Sequence, residues 1–209
     1  MVDIDVNPND PTEFYVGYAS GGVWHTTNNG SSVKPILDAS NTQNVGDIAV
    51  DWNNRIIWVG TGENNSSRSS YAGIGILKSV DNGKSWENMG LKDSHHIGRI
   101  LINPKNPDEV VVGVTGHLYS PNDERGIFKT VDGGKTWERT LFINSETGII
   151  DVQQVPDNFN MLFAAAWTRD RKAWNFTGNV NGSAIYKSTD AGNTWKKIST
   201  EKNGFPIGE

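Results

Sequence analysis

Three acidic residues set the first chemical question: Glu63 in TGENNSSRSSYAG (61–73), and Asp123 with Glu124 in TGHLYSPNDERG (115–126). A glycosidic bond is hydrolysed between two carboxyl groups roughly 5–10 Å apart, one of them kept protonated by its surroundings. Loops from neighbouring repeats could set Glu63 opposite Asp123 or Glu124, with Trp167 and Trp174 as flat platforms for sugar rings. The plainer reading makes all three solvated loop charges. His95, His96 and His117 are potential metal ligands. Adjacent residues on an extended chain point to opposite sides, so His95 and His96 would not face one ion, and no metal site is assigned. These three histidines, with Arg99, Arg125, Arg169, Trp167 and Trp174, are instead candidate contacts for a peptide or a glycan. The sequence calls for no cofactor.

Loop residues act only if a scaffold holds them, and the scaffold is written as a repeat. SVDNGKSW (79–86) recurs as TVDGGKTW (130–137) and STDAGNTW (188–195). Aligning Asp81, Asp132 and Asp190 superimposes Gly83, Gly134 and Gly192, then Trp86, Trp137 and Trp195. A degenerate copy lies upstream, with Asn28 at the aspartate, Gly30 at the glycine and Val33 at the tryptophan. Aspartate, one free residue and glycine make a turn that reaches positive φ and whose carboxylate accepts nearby backbone N–H groups. A tryptophan just beyond it is expected to fold back and bury its ring against the neighbouring strand. These residues are therefore structural.

The rest of each period repeats as well. An alternating strand opens each unit (VDIDV, GDIAV, GRILI, IIDVQ), and a more apolar one follows (FYVGY, IIWVG, VVVGV, MLFAAAW). A third strand (VWHT, ILKS, IFKT, IYKS) runs into the turn and a fourth leaves it (SWENM, TWERT, TWKKI). Four short strands in a period of roughly 50 residues predict an all-β fold, a β-propeller of four-stranded antiparallel blades. We place blades at about 2–44, 45–92, 93–146 and 147–200 within one propeller segment spanning 1–209, with 201–209 as a connector. The turns joining the first strand to the second, and the third to the fourth, share one face of the disc. The long loops 61–73, 115–126 and 168–183, with the connector KDSHH (92–96), share the other, which is the candidate functional face.

S/T-x-D-x-G-x-T/S-W at this hairpin resembles the Asp-box, or BNR, repeat of sialidase, xyloglucanase and sortilin-type propellers. The segment order, with GTGENNSSRSSYAG, GLKDSHHIGRI and GHLYSPNDERGIFKT between boxes, is most similar to secreted bacterial sortilin-like or glycosyl-hydrolase-like BNR-repeat proteins. That resemblance implies an extracellular or periplasmic location and a propeller with more blades than four. An Asp-box specifies a blade and not a reaction. A sialidase-like site would need an arginine triad and a Tyr/Glu pair; Arg99, Arg125 and Arg169 are present, but the arginine motif that opens sialidase propellers is not. Two functions stay open: a binding module recognising peptide or glycan on the long-loop face, and a glycoside hydrolase with paired carboxylates there.

Composition limits the partners. The 209 residues carry a net charge of −5 with no basic run, which argues against nucleic acid. No window approaches the ~20 apolar residues of a membrane-spanning helix. Without cysteine there is no disulfide or thiolate chemistry. Expected partners are the remaining blades of a longer chain, or a second copy, packed on apolar end faces. NNSS, NFT and NGS contain glycosylation sequons.

Overall fold

The computed structural model describes residues 1–178 and 182–205. Residues 179–181 of the third long loop, which include the asparagine of NGS, and 206–209 of the connector lie outside the described residues. Four four-stranded antiparallel sheets follow one another along the chain, each with its strands side by side in chain order, the last with an insertion between its second and third strands. The first blade comprises β1 (Asp3–Val6), β2 (Phe14–Tyr18), β3 (Gly22–Thr26) and β4 (Lys34–Pro35). The second comprises β5 (Val45–Asp51), β6 (Ile56–Thr61), β7 (Ile76–Ser79) and β8 (Glu87–Asn88). The third comprises β9 (Ile97–Asn103), β10 (Asn106–Val114), β11 (Gly126–Thr130) and β12 (Glu138–Leu141). The fourth comprises β13 (Thr147–Val155), β14 (Asn158–Thr168), β17 (Ala184–Ser188) and β18 (Lys196–Lys197). Its long loop adds a small hairpin that the periodicity did not signal, β15 (Asp170–Arg171) with β16 (Phe176–Thr177). Among the described residues the one helical element is a 3₁₀ turn at Glu201–Asn203, and none is long and apolar enough to cross a membrane.

The core lies between blades. Tyr15, Val23 and Leu37 of the first blade pack with Val45, Ile57 and Leu77 of the second. Trp58 and Ile76 meet Ile97, Val110 and Val112 across the next junction, and Val111 and Ile127 meet Ile149 and Leu162 across the last. A single four-stranded blade cannot cover its own apolar faces, so each fold unit is stabilised by its neighbours.

The turn motif is built alike in all four blades. Ser79 Oγ donates to Asp81 Oδ1 at 2.8 Å, and the N–H of Ser85 and its hydroxyl donate to the same carboxylate at 2.9 and 2.6 Å. Thr130, Asp132 and Thr136 repeat this set, as do Ser188, Asp190 and Thr194. In the degenerate copy Asn28 Oδ1 accepts from Thr26 Oγ1 at 3.1 Å and from Ser32 N at 2.9 Å, so an amide replaces the carboxylate without altering the turn. The Ser85 hydroxyl and N–H, with the Ser79 hydroxyl, hold Asp81 down to about 2; Thr194 does the same for Asp190, and Thr136 lowers Asp132. Gly83 and Gly134 sit at φ of 80° and 93°, where a Cβ would also come within 2.8 Å of Ile36 and Trp58 of the adjoining blade.

The tryptophans behave differently from expectation. They precede the short fourth strands, and their indoles cross to the previous blade: Trp86 Nε1 donates to Ile36 O at 2.9 Å, and Trp137 Nε1 to Met89 O at 2.7 Å. Trp195 Nε1 reaches Thr140 Oγ1 at 3.2 Å. The motif thus joins blades as well as closing a hairpin.

Candidate functional site on the long-loop face

The long loops meet through hydrogen bonds that run from blade to blade. The Tyr119 hydroxyl donates to Arg68 O at 2.8 Å, joining the loops of the third and second blades. Gly73 N donates to His95 O at 2.7 Å, and Thr115 N to His96 O at 3.0 Å, which clamps the 92–96 connector between those loops. Asn122 is a hub that the sequence did not signal. Its Oδ1 accepts from His117 N and Arg125 Nε, and its Nδ2 donates to Asp93 O at 2.8 Å.

Two buried arginines organise this face. Arg125 is 2% exposed, and its guanidinium donates to the carbonyls of Thr115, His117, Ser120 and Glu146. That spends its donors on shaping the loop, so it acts as a clamp. Burial lowers its pKa to about 10. Arg169, 6% exposed, reaches from the fourth blade to Ser66 Oγ of the second and Gly116 O of the third, and its Nε has no partner among the described residues. Its guanidinium lies 5.5 Å from the Trp167 ring, and burial followed by the charge of Arg125 lowers its pKa to about 10. Both stay cationic at neutral pH. Arg169, Arg125, Tyr119, Ser120, Glu146 and Lys172 line a cleft of about 370 Å³ between the third and fourth blades.

The histidines separate. His96 is buried; burial, then the Arg169 and His95 charges, hold it down to about 3, so it stays neutral. His95 has φ of 55°, so the chain there is left-handed and not extended. The opposite orientation of adjacent side chains expected of an extended chain therefore does not apply here. The ring of His95 stacks instead on His117, with centroids 3.6 Å apart.

Among the carboxylates, Glu63 is buried and its pKa is raised by burial, opposed by the Tyr71 N–H, with no carboxylate among the groups that shift it. Glu124 is raised by burial too, against the backbone N–H groups of Asp93 and Ser94. Asp123 is exposed.

Two candidate contacts fall elsewhere. Arg99 lies in β9 on the inner strands, held by Asp47 and Asp151 at 2.9 Å each and by Asp3 at 3.5 Å, so its charge is consumed within the scaffold. Trp174 is 85% exposed beside the β15–β16 hairpin, while Trp167 donates its Nε1 to Gly178 O at 2.9 Å.

Sequential blades closed by Asp-box hairpins, with their irregular loops gathered on one face, define a β-propeller module. Residues 75–209, more than half of the chain, match the family model described as sortilin, neurotensin receptor 3, and the chain belongs to the Sortilin-Vps10 family. Among solved structures it is similar to an ancestral GH74 enzyme, with TM-score 0.68 and 17% identity over 95% of this chain and 25% of that one. The GH74 xyloglucanase of Xanthomonas campestris gives 0.66 and 13% over 93% of this chain and 29% of that one. The GH74 enzyme of Niastella koreensis gives 0.56 and 15%, covering 94% and 38%. At these identities the likeness is one of fold, and the chain spans well under half the length of each. No curated protein matches it.

Proposed function

We propose that this chain is a binding module of a larger extracellular or periplasmic protein, and that it holds a peptide or glycan in the cleft between the third and fourth blades. The observation that carries this reading is Arg169, a buried cation lining that cleft with one N–H free of protein acceptors. Desolvated donors bind polar ligand groups strongly because their alternative is to stay unpaired. Tyr119, half exposed at the same cleft, adds a flat face. Peptide and glycan arrays supply the ligand, and calorimetry then tests the site. Tyr119→Ala and Arg169→Gln are each expected to weaken the best hit about tenfold or more, a loss of ~1.4 kcal/mol. Unchanged affinity in both variants would place the ligand elsewhere.

The hydrolase reading keeps one supporting observation: burial holds Glu63 and Glu124 above the usual carboxylate range, as a general acid requires. No carboxylate acts on Glu63, and the one that raises Glu124, Asp93, is engaged by His117 Nε2 at 3.0 Å. Oligosaccharide hits are therefore expected to survive incubation with the protein, without new reducing ends.

The partner in assembly is a further Asp-box blade. Lys78 reaches from the second blade to Gly133 O of the third at 2.9 Å, and Lys129 from the third to Asn193 Oδ1 of the fourth at 2.8 Å. Asp3 and Asp47 likewise accept the Ile48 and Ile100 N–H groups of their successors. Lys187 and Asp151 occupy the equivalent positions in the fourth blade. Light scattering of the chain alone is expected to show concentration-dependent self-association, reduced in Lys187→Glu. A strict monomer at every concentration would sink this assignment.

A further inference from the structure

We propose that Asp93, His95 and His117 form a binding site for a divalent transition-metal ion of the zinc class, at the junction of the 92–96 connector and the 115–125 loop. One ring nitrogen from each histidine and one carboxylate oxygen all lie within 4.8 Å of one another. Two imidazoles and one carboxylate, open to solvent on one side, are the donor set that zinc and its neighbours favour over magnesium or calcium.

Each donor is placed by something other than the other two. His117 Nδ1 is 2.9 Å from Ser120 Oγ, which fixes the ring and turns Nε2 toward Asp93 Oδ1 at 3.0 Å. Metal-bound histidines are held in this way through their second nitrogen. His95 is carried on a left-handed backbone with φ of 55°, a conformation that a β-substituted residue adopts only when its surroundings hold it there. Its carbonyl is fixed by Gly73 N, while its ring makes no hydrogen bond among the described residues. Asp93 has its backbone carbonyl tied to Asn122 Nδ2, which sets its 65% exposed side chain at the mouth of the cluster.

The two imidazole planes are 18° from parallel. Donors around a tetrahedral ion sit roughly 3.3 Å apart, so coordination turns the His95 ring out of the stack about Cβ–Cγ and draws the cluster together. The chemistry that opposes this is weak, since one ring stack and one contact to an exposed carboxylate are all that is exchanged. His96 cannot compete, because it is buried, and His25 is held by Glu13 at 3.0 Å and stacked on Tyr15.

Zinc chloride titrated into chelator-treated protein tests the site by calorimetry, with cobalt(II) as an absorbing probe of the ligand field. One ion per chain is expected. His95→Ala, His117→Gln and Asp93→Asn should each weaken zinc binding about tenfold or more, and Ser120→Ala about tenfold through the lost orientation of His117. The histidine ring protons should shift as the stack opens, which a surface hydrogen-bonded cluster would not show. Asp93→Asn, at an exposed side chain, keeps the test decisive if a histidine variant folds poorly. Absence of binding at millimolar zinc, or wild-type zinc affinity retained in Asp93→Asn and His95→Ala, would overturn the proposal.

Discussion

Replacing Arg99 with alanine is expected to destabilise the protein by about 3–5 kcal/mol, because it strands a buried carboxylate. Asp47 is 2% exposed, and Arg99 Nη1 lies 2.9 Å from its Oδ1, while its Oδ2 accepts the Ile100 N–H at 2.6 Å. The contacts to Asp3 and Asp151 add less, since Asp151 is 40% exposed and water screens it. Burial pushes the Asp47 carboxyl well above the usual range, and the Arg99 charge opposes that push. The sign follows from linkage. A carboxyl whose folded pKa is raised costs stability as pH rises through that pKa, and the cost disappears below the unfolded value. Without Arg99 the cost at neutral pH is larger, so the deficit of Arg99→Ala should be greatest above pH 7 and shrink on acidification toward pH 4. Urea unfolding at both ends of that range reads it. Arg99→Lys keeps the charge but loses the Asp47 and Asp151 fork, and should fall between. A deficit under about 1 kcal/mol, flat with pH, would mean that water reaches Asp47 freely.

Arg99 also shows how far the sequence could be read. Asp3 and Asp47 stand at its position in VDIDV, GDIAV and GRILI, but Asp151 is the third residue of IIDVQ, and only the bulged strand register brings it into line. Arg99 was instead grouped with the candidate contacts of the long-loop face. The blades themselves were legible because a blade is specified locally: alternation sets each strand, and the turn bonds of Asp81 or Asn28 stay within four residues. What the indoles touch was not, since Trp86 meets Ile36 fifty residues away. The loop face was legible as a set of residues but not as contacts. Arg125 and Arg169 both read as free charges, yet one is saturated by carbonyls and the other bridges three blades. The stack of His95 on His117 depends on a left-handed backbone that histidine adopts in only a minority of cases.

Removing Trp58 should cost about 3–5 kcal/mol, the usual range for truncating a buried aromatic. Its ring is 1% exposed in β6, with Lys78 Nζ 4.6 Å above it and the Trp137 ring edge-on at 6.4 Å. Gly134 approaches so closely that a Cβ there would lie 2.8 Å from Trp58 Cη2. The residue therefore fills the joint between the second and third blades, and the pair can be tested as a cycle. Gly134→Ala alone meets both the ring and a φ of 93° that alanine resists, whereas in a Trp58→Ala background the ring is gone and only the backbone strain remains. The double variant should then be less destabilised than the sum of the two, by about 0.5–3 kcal/mol. Because each blade is stabilised chiefly by its neighbours, weakening one joint should also divide the urea transition in two, with the first two blades and the last two unfolding apart. A single transition with additive losses would mean that the inner-strand charges around Arg99, and not the Trp58 joint, carry the coupling between the halves.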